Sequence, residues 1–452
     1  MKKSISGFSK LSKLGKLKWL VENFFKDPER VMKDLMSYWL HDEEKQKIID
    51  GFSENTISNF YLPYGVAPNF LINEKTYCVP MVIEESSVVA AAASAAKFWL
   101  HRGGFHAEVI STKKVGQIHF CWDGNHHTLN KHLPEIKQLM YDQTADLTKN
   151  MRKRGGGIVG IELLDLSHIE PSCYQLHVKF ETVDSMGANF INSVLEKLAK
   201  ILDNYVKEHL TENSEDDGVE IIMSILSNYT PECLVRAWVV CPVSDLGEQK
   251  GAINSDEFAR RFQKAVRIAH IDPYRATTHN KGIFNGIDAV VLATANDFRA
   301  VEACGHAYAA RDGQYRSLTD CSVADGIFKF SIEMPLALGT IGGLTSLHPM
   351  AKRSLELLGH PDAGTLMMII ASIGLAQNFA AIRSLVTTGI QQGHMRMHLI
   401  NILNRLDASE REMDQSIAFF SDRVVSHAAV RSHLALLRSK RAPEENTAIL
   451  PT

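Results

Sequence analysis

Four short segments of this chain place ionisable side chains where apolar stretches end: Glu84-Glu85, Thr278-His-Asn-Lys-Gly282, Ala295-Asn-Asp297 and Gly393-His394-Met395. Carboxylates, lysine and histidine are the groups that move protons and hold developing negative charge. In α/β enzymes they gather where strands end and helices begin. Each segment also has a plainer reading. Glu85, just ahead of a helical stretch, equally suits a residue that complements the helix dipole. Asp297 taken alone suits an N-cap, and Lys281, in a Gly/Asn-rich loop, suits a solvated lysine. His394 lies four residues before His398, a spacing that two metal ligands can share. No third ligand accompanies them, so no metal is expected.

Two other patterns invite a chemical reading and lose it on context. Gly155-Gly-Gly-Ile-Val-Gly160 fits GxGxxG, but it follows a basic helical stretch and leads into a strand. The dinucleotide fingerprint requires strand, turn, then helix, so this one reads as a turn. The histidines between 101 and 132 fit no common metal-ligand spacing. Gly187-Ala188 is more promising. These small residues open a long helix, where a pyrophosphate can approach free amides and the positive end of the dipole.

The elements that must position these groups follow from propensity and periodicity. Residues 14 to about 53 read as short helices, and Thr76–Ile83 as a strand running into Glu84-Glu85. An alanine-rich helix follows from Val88 and stops at Gly103-Gly104. Between about 112 and 228 the texture changes to short β-branched strands, Val115–Phe120, Ile158–Leu164 and Gln175–Phe180, alternating with helices. That pattern suggests a smaller α+β domain inserted into a larger mixed α/β one. Its clearest helix, Ala188–Lys207, aligns Ile191, Val194, Leu195, Leu198, Ile201 and Leu202 on one face. Beyond it, Ile287–Thr294 reads as an apolar strand, Asp297–Ala310 as a helix, and Leu366–Leu385 as a buried helix. From Gly393 onward, charged helices form a separable arm.

The whole-chain numbers set limits. At 452 residues the chain supports two or three domains, and its net charge of −3 supplies no field that would draw nucleic acid or an anionic membrane. The longest apolar runs, Leu366–Ala376 and Val88–Leu100, fall short of the ~20 residues that span a bilayer, so no membrane anchor is expected. Seven cysteines without a CxxC pair suit reduced thiols in a cytoplasm.

Taken in order, the segments resemble those of class II 3-hydroxy-3-methylglutaryl-CoA reductases. Glu54-Asn-Thr-Ile57 and Leu62-Pro-Tyr-Gly-Val-Ala-Pro-Asn69 are similar to the stretch through which that family binds acyl-CoA. Val79–Glu85, running into Ser87–Ala92, resembles its catalytic-glutamate segment. Asp184-Ser-Met-Gly-Ala-Asn189 resembles its cofactor motif, Asp272–Ile283 its lysine motif, and Gly393-His-Met395 its histidine motif. Some positions depart from the pattern: Ser58 and Ala295 stand where glycine is usual, Ser86 where proline is, Phe298 where tryptophan is, and Ser9 near a customary arginine.

The resemblance implies a fold, a reaction and a set of residues. The fold is a large mixed α/β substrate domain, residues 1–111 and 229–390, with an inserted cofactor domain over 112–228 and a helical C-terminal flap over 391–452. The reaction interconverts the thioester with mevalonate and free CoA by two hydride transfers, through a hemithioacetal and mevaldehyde. Implied catalytic residues are Glu85 (acid), Lys281 (oxyanion stabiliser), Asp297 (linking those two) and His394 (proton donor to the departing thiolate). Implied substrate contacts are Glu54, Asn55, Ser87, Arg275 and Asn285. Implied cofactor contacts are Asp184, Met186, Gly187, Ala188 and Asn189, joined by Thr148, Lys149 and Arg152. Thr148 occupies the position where NADH-preferring members carry an aspartate, so NADPH is favoured over NADH. A homodimer or larger assembly of dimers, without nucleic acid or membrane partners, is implied as well. The rival readings are a non-catalytic CoA-binding homologue and a CoA-thioester hydrolase; the latter lacks a G-x-S-x-G elbow. The physiological direction stays open.

Overall fold

The computed structural model describes residues 4–210, 218–387, 399–421 and 423–441. Three short helices come first: α1 (Lys13–Phe24), α2 (Pro28–Ser37) and α3 (Glu43–Asp50). Strands β1 (Tyr64–Ile72) and β2 (Lys75–Val82) form an antiparallel hairpin that leads into α4 (Ser86–Leu100) and β3 (His106–Val109). An excursion follows through β4 (Lys114–Cys121), α5 (His126–Gln143), α6 (Ala145–Lys153), β5 (Gly157–Asp165), β6 (Cys173–Glu181), α7 (Ala188–His209) and β7 (Glu220–Leu226). The chain then re-enters beside its point of departure, because β8 (Leu234–Pro242) pairs with β3. It continues through α8 (Ser255–Ile271), α9 (Pro273–Ala293), α10 (Phe298–Ala309), β9 (Thr319–Ala324) and β10 (Ile327–Pro335). Helices α11 (Gly343–Leu347), α12 (Pro349–Leu357) and α13 (Ala363–Val386) follow. C-terminal to these lie the helices Glu410–Phe419 and His427–Arg441.

The larger sheets have the orders β3-β8-β10-β9 and β5-β6-β4-β7. The first belongs to a core in which Phe262, Phe328, Phe330 and Phe379 meet Trp99 and the apolar faces of α4, α9 and α13. The second sheet has its own core, formed where Ile118, Phe120, Leu176 and Phe180 meet Ile191, Val194, Leu195 and Leu198 of α7. The arm has a third, built on Leu399, Leu403, Phe420, Val430 and Leu434. Each cluster excludes water by itself, the physical signature of a separate packing unit.

Two sequence expectations fail here. The apolar stretch Ile287–Thr294 is the C-terminal part of helix α9, and Lys281 lies inside that helix, not in a loop. The helix starts one residue after Asp272, which accepts from the Tyr274 amide, with Pro273 in its first turn. Its second half reads as a strand because nearly every side chain is buried, and burial on all sides erases the helical period. The second failure concerns length. Helix α13 has 24 residues and is long and apolar enough to cross a bilayer. Here it is a core helix, packed against α4, α8, α9 and the first sheet, with most of it buried.

Candidate active site

Glu85 occupies the N-cap position of α4, yet its carboxylate makes no capping hydrogen bond. It accepts instead from the Ser87 hydroxyl at 2.7 Å and lies 3.5 Å from the Lys281 ammonium. The capping reading is thus displaced by a Ser87–Glu85–Lys281 cluster. Both ends are reachable, the Lys281 side chain being 65% and that of Glu85 37% exposed. Asn285 follows Lys281 by one helical turn and so shares its face of α9. Arg275 lies in the first turn of α9, half-buried; burial pulls its guanidinium down against the pull of Asp272.

Asp297 stands elsewhere. It is the N-cap of α10, accepting from the amides of Arg299 and Ala300, and it pairs with the Arg299 guanidinium at 2.9 and 3.0 Å. Burial pushes its carboxyl up, but Arg299 and the two amides outweigh that and hold it below the usual range. Lys281 and Ala293 are twelve residues apart on α9, a rise of roughly 18 Å. Asp297 follows the far end of that helix. Asp297 pairs with Arg299 and Glu85 with Lys281, and among the described residues no hydrogen bond or ion pair joins Asp297 to either Glu85 or Lys281. His394, with Gly393 and His398, lies outside the described residues.

Asp297 lines a cleft of about 1740 Å³ that also takes in Glu54, Asn55, Met186, Gly187, Ala188, Asn189 and the loop from Gly339 to Thr345. Gly187 sits at φ 85° at the head of α7, and a Cβ there would come within 2.5 Å of Thr182. Only glycine fits, and the helix start carries no side-chain cap. An anionic group in the cleft thus meets an open helix N-terminus.

Four of the expected cofactor contacts do not line this cleft. The Asp184 carboxylate accepts from the Ala363 amide, and its carbonyl accepts from Thr340, so it braces the loop from behind. Thr148 is buried and donates to the Thr144 carbonyl, turned inward on α6. Lys149 and Arg152 are not on the cleft wall either; α6 presents Leu147, Asn150 and Met151, followed by Arg154. A count from Gly155 fixes a position and not a face, because a helix turns 100° per residue and the count does not say which side packs inward.

Sequence reasoning missed one residue altogether. Lys114 is buried in β4, and its ammonium donates to the Thr182 hydroxyl at 2.5 Å and the Ser185 carbonyl at 2.8 Å. Burial lowers its pKa, while Cys233, Glu181 and Asp184 pull it back. A signal existed: Lys114 shares the inward phase of its strand with Gly116, Ile118 and Phe120. The glycines of Gly339-Thr-Ile-Gly-Gly343 were the other overlooked marker of the cleft.

The sequence model described as hydroxymethylglutaryl-coenzyme A reductase matches residues 21–399 of this chain. The 3-hydroxy-3-methylglutaryl-coenzyme A reductase of Archaeoglobus fulgidus is 37% identical over 418 residues, covering 92% of this chain and 90% of that one. The chain belongs to the hydroxymethylglutaryl-coenzyme A reductase family. A probable 3-hydroxy-3-methylglutaryl-coenzyme A reductase of Borreliella burgdorferi is 32% identical, covering 89% of each chain. Among solved structures, the Streptococcus pneumoniae reductase superposes with a TM-score of 0.70 at 35% identity, covering 96% of this chain and all of that one. A structure of that class II enzyme bound to NADPH, in open conformations, gives 0.68 at 36% identity, covering 85% of this chain and all of that one. The family's reaction, reduction of hydroxymethylglutaryl-CoA, is the activity of this chain, and the hydrolase and binding-protein readings find no support.

Proposed function

We propose that this reductase acts as a homodimer whose active site is divided between subunits, with Glu85 and Lys281 from one chain and Asp297 and the cleft from the other. The observation that carries this reading is the roughly 18 Å of helix between Lys281 and the residues before Asp297 in one chain. Lys281 stabilises the oxyanion formed at the thioester carbonyl, and later at the aldehyde. Glu85, held by Ser87, donates the proton to that oxygen. Asp297 of the second chain completes the charge network around Lys281, while Arg275 and Asn285 orient the carboxylate end of the substrate. His394 protonates the departing CoA thiolate, and the arm from 391 onward closes over the site.

The cleft, with residues 112–228 as the cofactor domain and Glu54 and Asn55 on the CoA side, fits a nicotinamide dinucleotide. When bound, that group supplies the two hydride equivalents. The features that support its placement are the glycine at the start of α7 and the cationic Arg154 on the same wall. Arg154 favours a 2′-phosphate, so NADPH is preferred over NADH. The pool of free thiols and the absence of charge attraction to membranes or nucleic acid suit a cytoplasmic enzyme acting on small molecules.

Subunit complementation tests the divided site. Lys281→Ala and Asp297→Ala should each lose at least ~10²-fold in turnover as pure proteins. Refolded together, they should recover about a quarter of the wild-type rate, since half of the random dimers hold one intact site of two. A mixture no more active than its parents would place both residues in one subunit's site and defeat the proposal. For the cofactor, Arg154→Asp should shift kcat/KM toward NADH by at least ~10-fold. An unchanged ratio would remove Arg154 from the choice.

A further inference from the structure

A second cavity lies away from the cleft, at β9, the edge strand of the first sheet. It has a volume of about 530 Å³, and its wall carries Arg236, Arg267, His270, Arg311 and Arg316. The carboxylates facing it are Asp320 and Glu333. How those charges are used decides what the cavity can hold. Arg236 is spent: it pairs with Glu333 at 2.6 Å and Glu108 at 3.2 Å. Arg316 and Arg311 are fixed but not neutralised. Arg316 donates to the His270 carbonyl at 2.7 Å; Arg311 donates to the Tyr308 carbonyl at 2.8 Å and stacks on the Tyr308 ring. A carbonyl anchor orients a guanidinium without cancelling its charge, which leaves its remaining N–H donors for a ligand. Arg267 has no ion pair or hydrogen bond among the described residues. The His270 Nε2 atom is buried without a hydrogen-bond partner; the nearest carboxylate oxygen, on Asp320, is 3.9 Å away.

We propose that this cavity is an anion site, distinct from the active site, that takes a diphosphate group on Arg267, Arg311 and Arg316. Three guanidinium groups on one wall match the several oxygens of a diphosphate, where a single carboxylate would satisfy only one of them. Anchoring two of them beforehand lowers the ordering cost of binding. Among the described residues, the only apolar side chains on the wall are Ile271 and Leu318, so recognition is of the charged group and not of a hydrocarbon tail.

The test is calorimetric titration of the full chain with inorganic pyrophosphate at fixed ionic strength. Saturating CoA and NADPH are present, so that the open end of α7 is already filled. One saturable site per chain is expected, with Kd raised at least ~10-fold in the Arg267→Gln/Arg311→Gln double variant and unchanged in Lys329→Gln, on the same sheet outside the cavity. Both arginines are exposed, so the double variant should keep the wild-type melting temperature and reductase rate. Repeating the titration with ADP separates the sources: tighter binding assigns a diphosphate ester, weaker binding the free anion. No saturable heat with pyrophosphate, or equal Kd values for wild type and double variant, would overturn the site.

Discussion

Ala295 shows what one side chain does in strained backbone. The resemblance leads one to expect glycine there, and its φ is 52°, in the left-handed region. A Cβ there costs roughly 1–2 kcal/mol, partly offset by the smaller unfolded-state entropy of alanine. The strained residue directly precedes Asn296, whose side chain accepts from the Gly339 amide, and Asp297, the cap of α10. Ala295→Gly should therefore raise thermal stability by up to about 1 kcal/mol. A destabilised glycine variant, by reversible denaturant melts, would mean that the strain is relieved elsewhere. Glu85 makes the complementary point: its type and position suited a helix cap, and only its pairing with Ser87 and Lys281 separates that role from chemistry.

Among the elements, the C-terminal arm contains an ion pair between a buried carboxylate, Glu412, and a half-exposed guanidinium, Arg438. Glu412 completes a capping box with Ser409 and also accepts from Arg438 of the helix His427–Arg441 at 3.0 Å. Arg438 reaches on to the carbonyls of Leu406 and Asp407, so one guanidinium joins three segments. The Arg438 and Ser409 hydrogen bonds hold the Glu412 carboxyl down to about 2, below its ordinary 4.5. A depressed carboxyl pKa stabilises the fold above the unfolded value, and that contribution disappears as pH falls from about 4.5 toward 2. Proteolysis of the arm should thus accelerate over that window in the wild type. Glu412→Gln should be cleaved faster at pH 7 and respond less to acid. Equal cleavage of both proteins at pH 7 would show that the pair does not hold the arm.

At the scale of the whole molecule, Lys114 joins the two larger cores. From β4 of the second sheet it reaches Thr182 and Ser185 of the loop before α7, and its contact with the Leu338 carbonyl brings in the loop following β10. On the same seam the Ile341 and Thr340 amides donate to the Asp184 carbonyl. Lys114→Met keeps the bulk but removes every donor, leaving the Ser185 carbonyl held by the Thr182 hydroxyl alone. The expected result is a KM for NADPH raised at least ~10-fold, with a smaller change in kcat and an intact far-UV spectrum. A variant with normal KM would mean that backbone contacts alone position the loop.

Most elements were legible in the sequence because their period survives: β4, β5, β6 and α7 each keep one apolar and one polar face. The nearness of Glu85 and Lys281 was not legible from spacing; the ordered motifs singled both out, and the structure brings them within 3.5 Å. What the sequence could not determine was anything set by which face points inward. Helix α9 lost its period to burial, Thr148 and Asp184 turned away from the cleft, and Lys114 carried no motif at all. The separation of Asp297 from Lys281 was likewise invisible, because the fifteen intervening residues set different end-to-end distances as a helix and as a strand with a turn. Residue types specify which chemistry is available. The direction each side chain faces depends on packing between distant segments, and only the tertiary structure decides it.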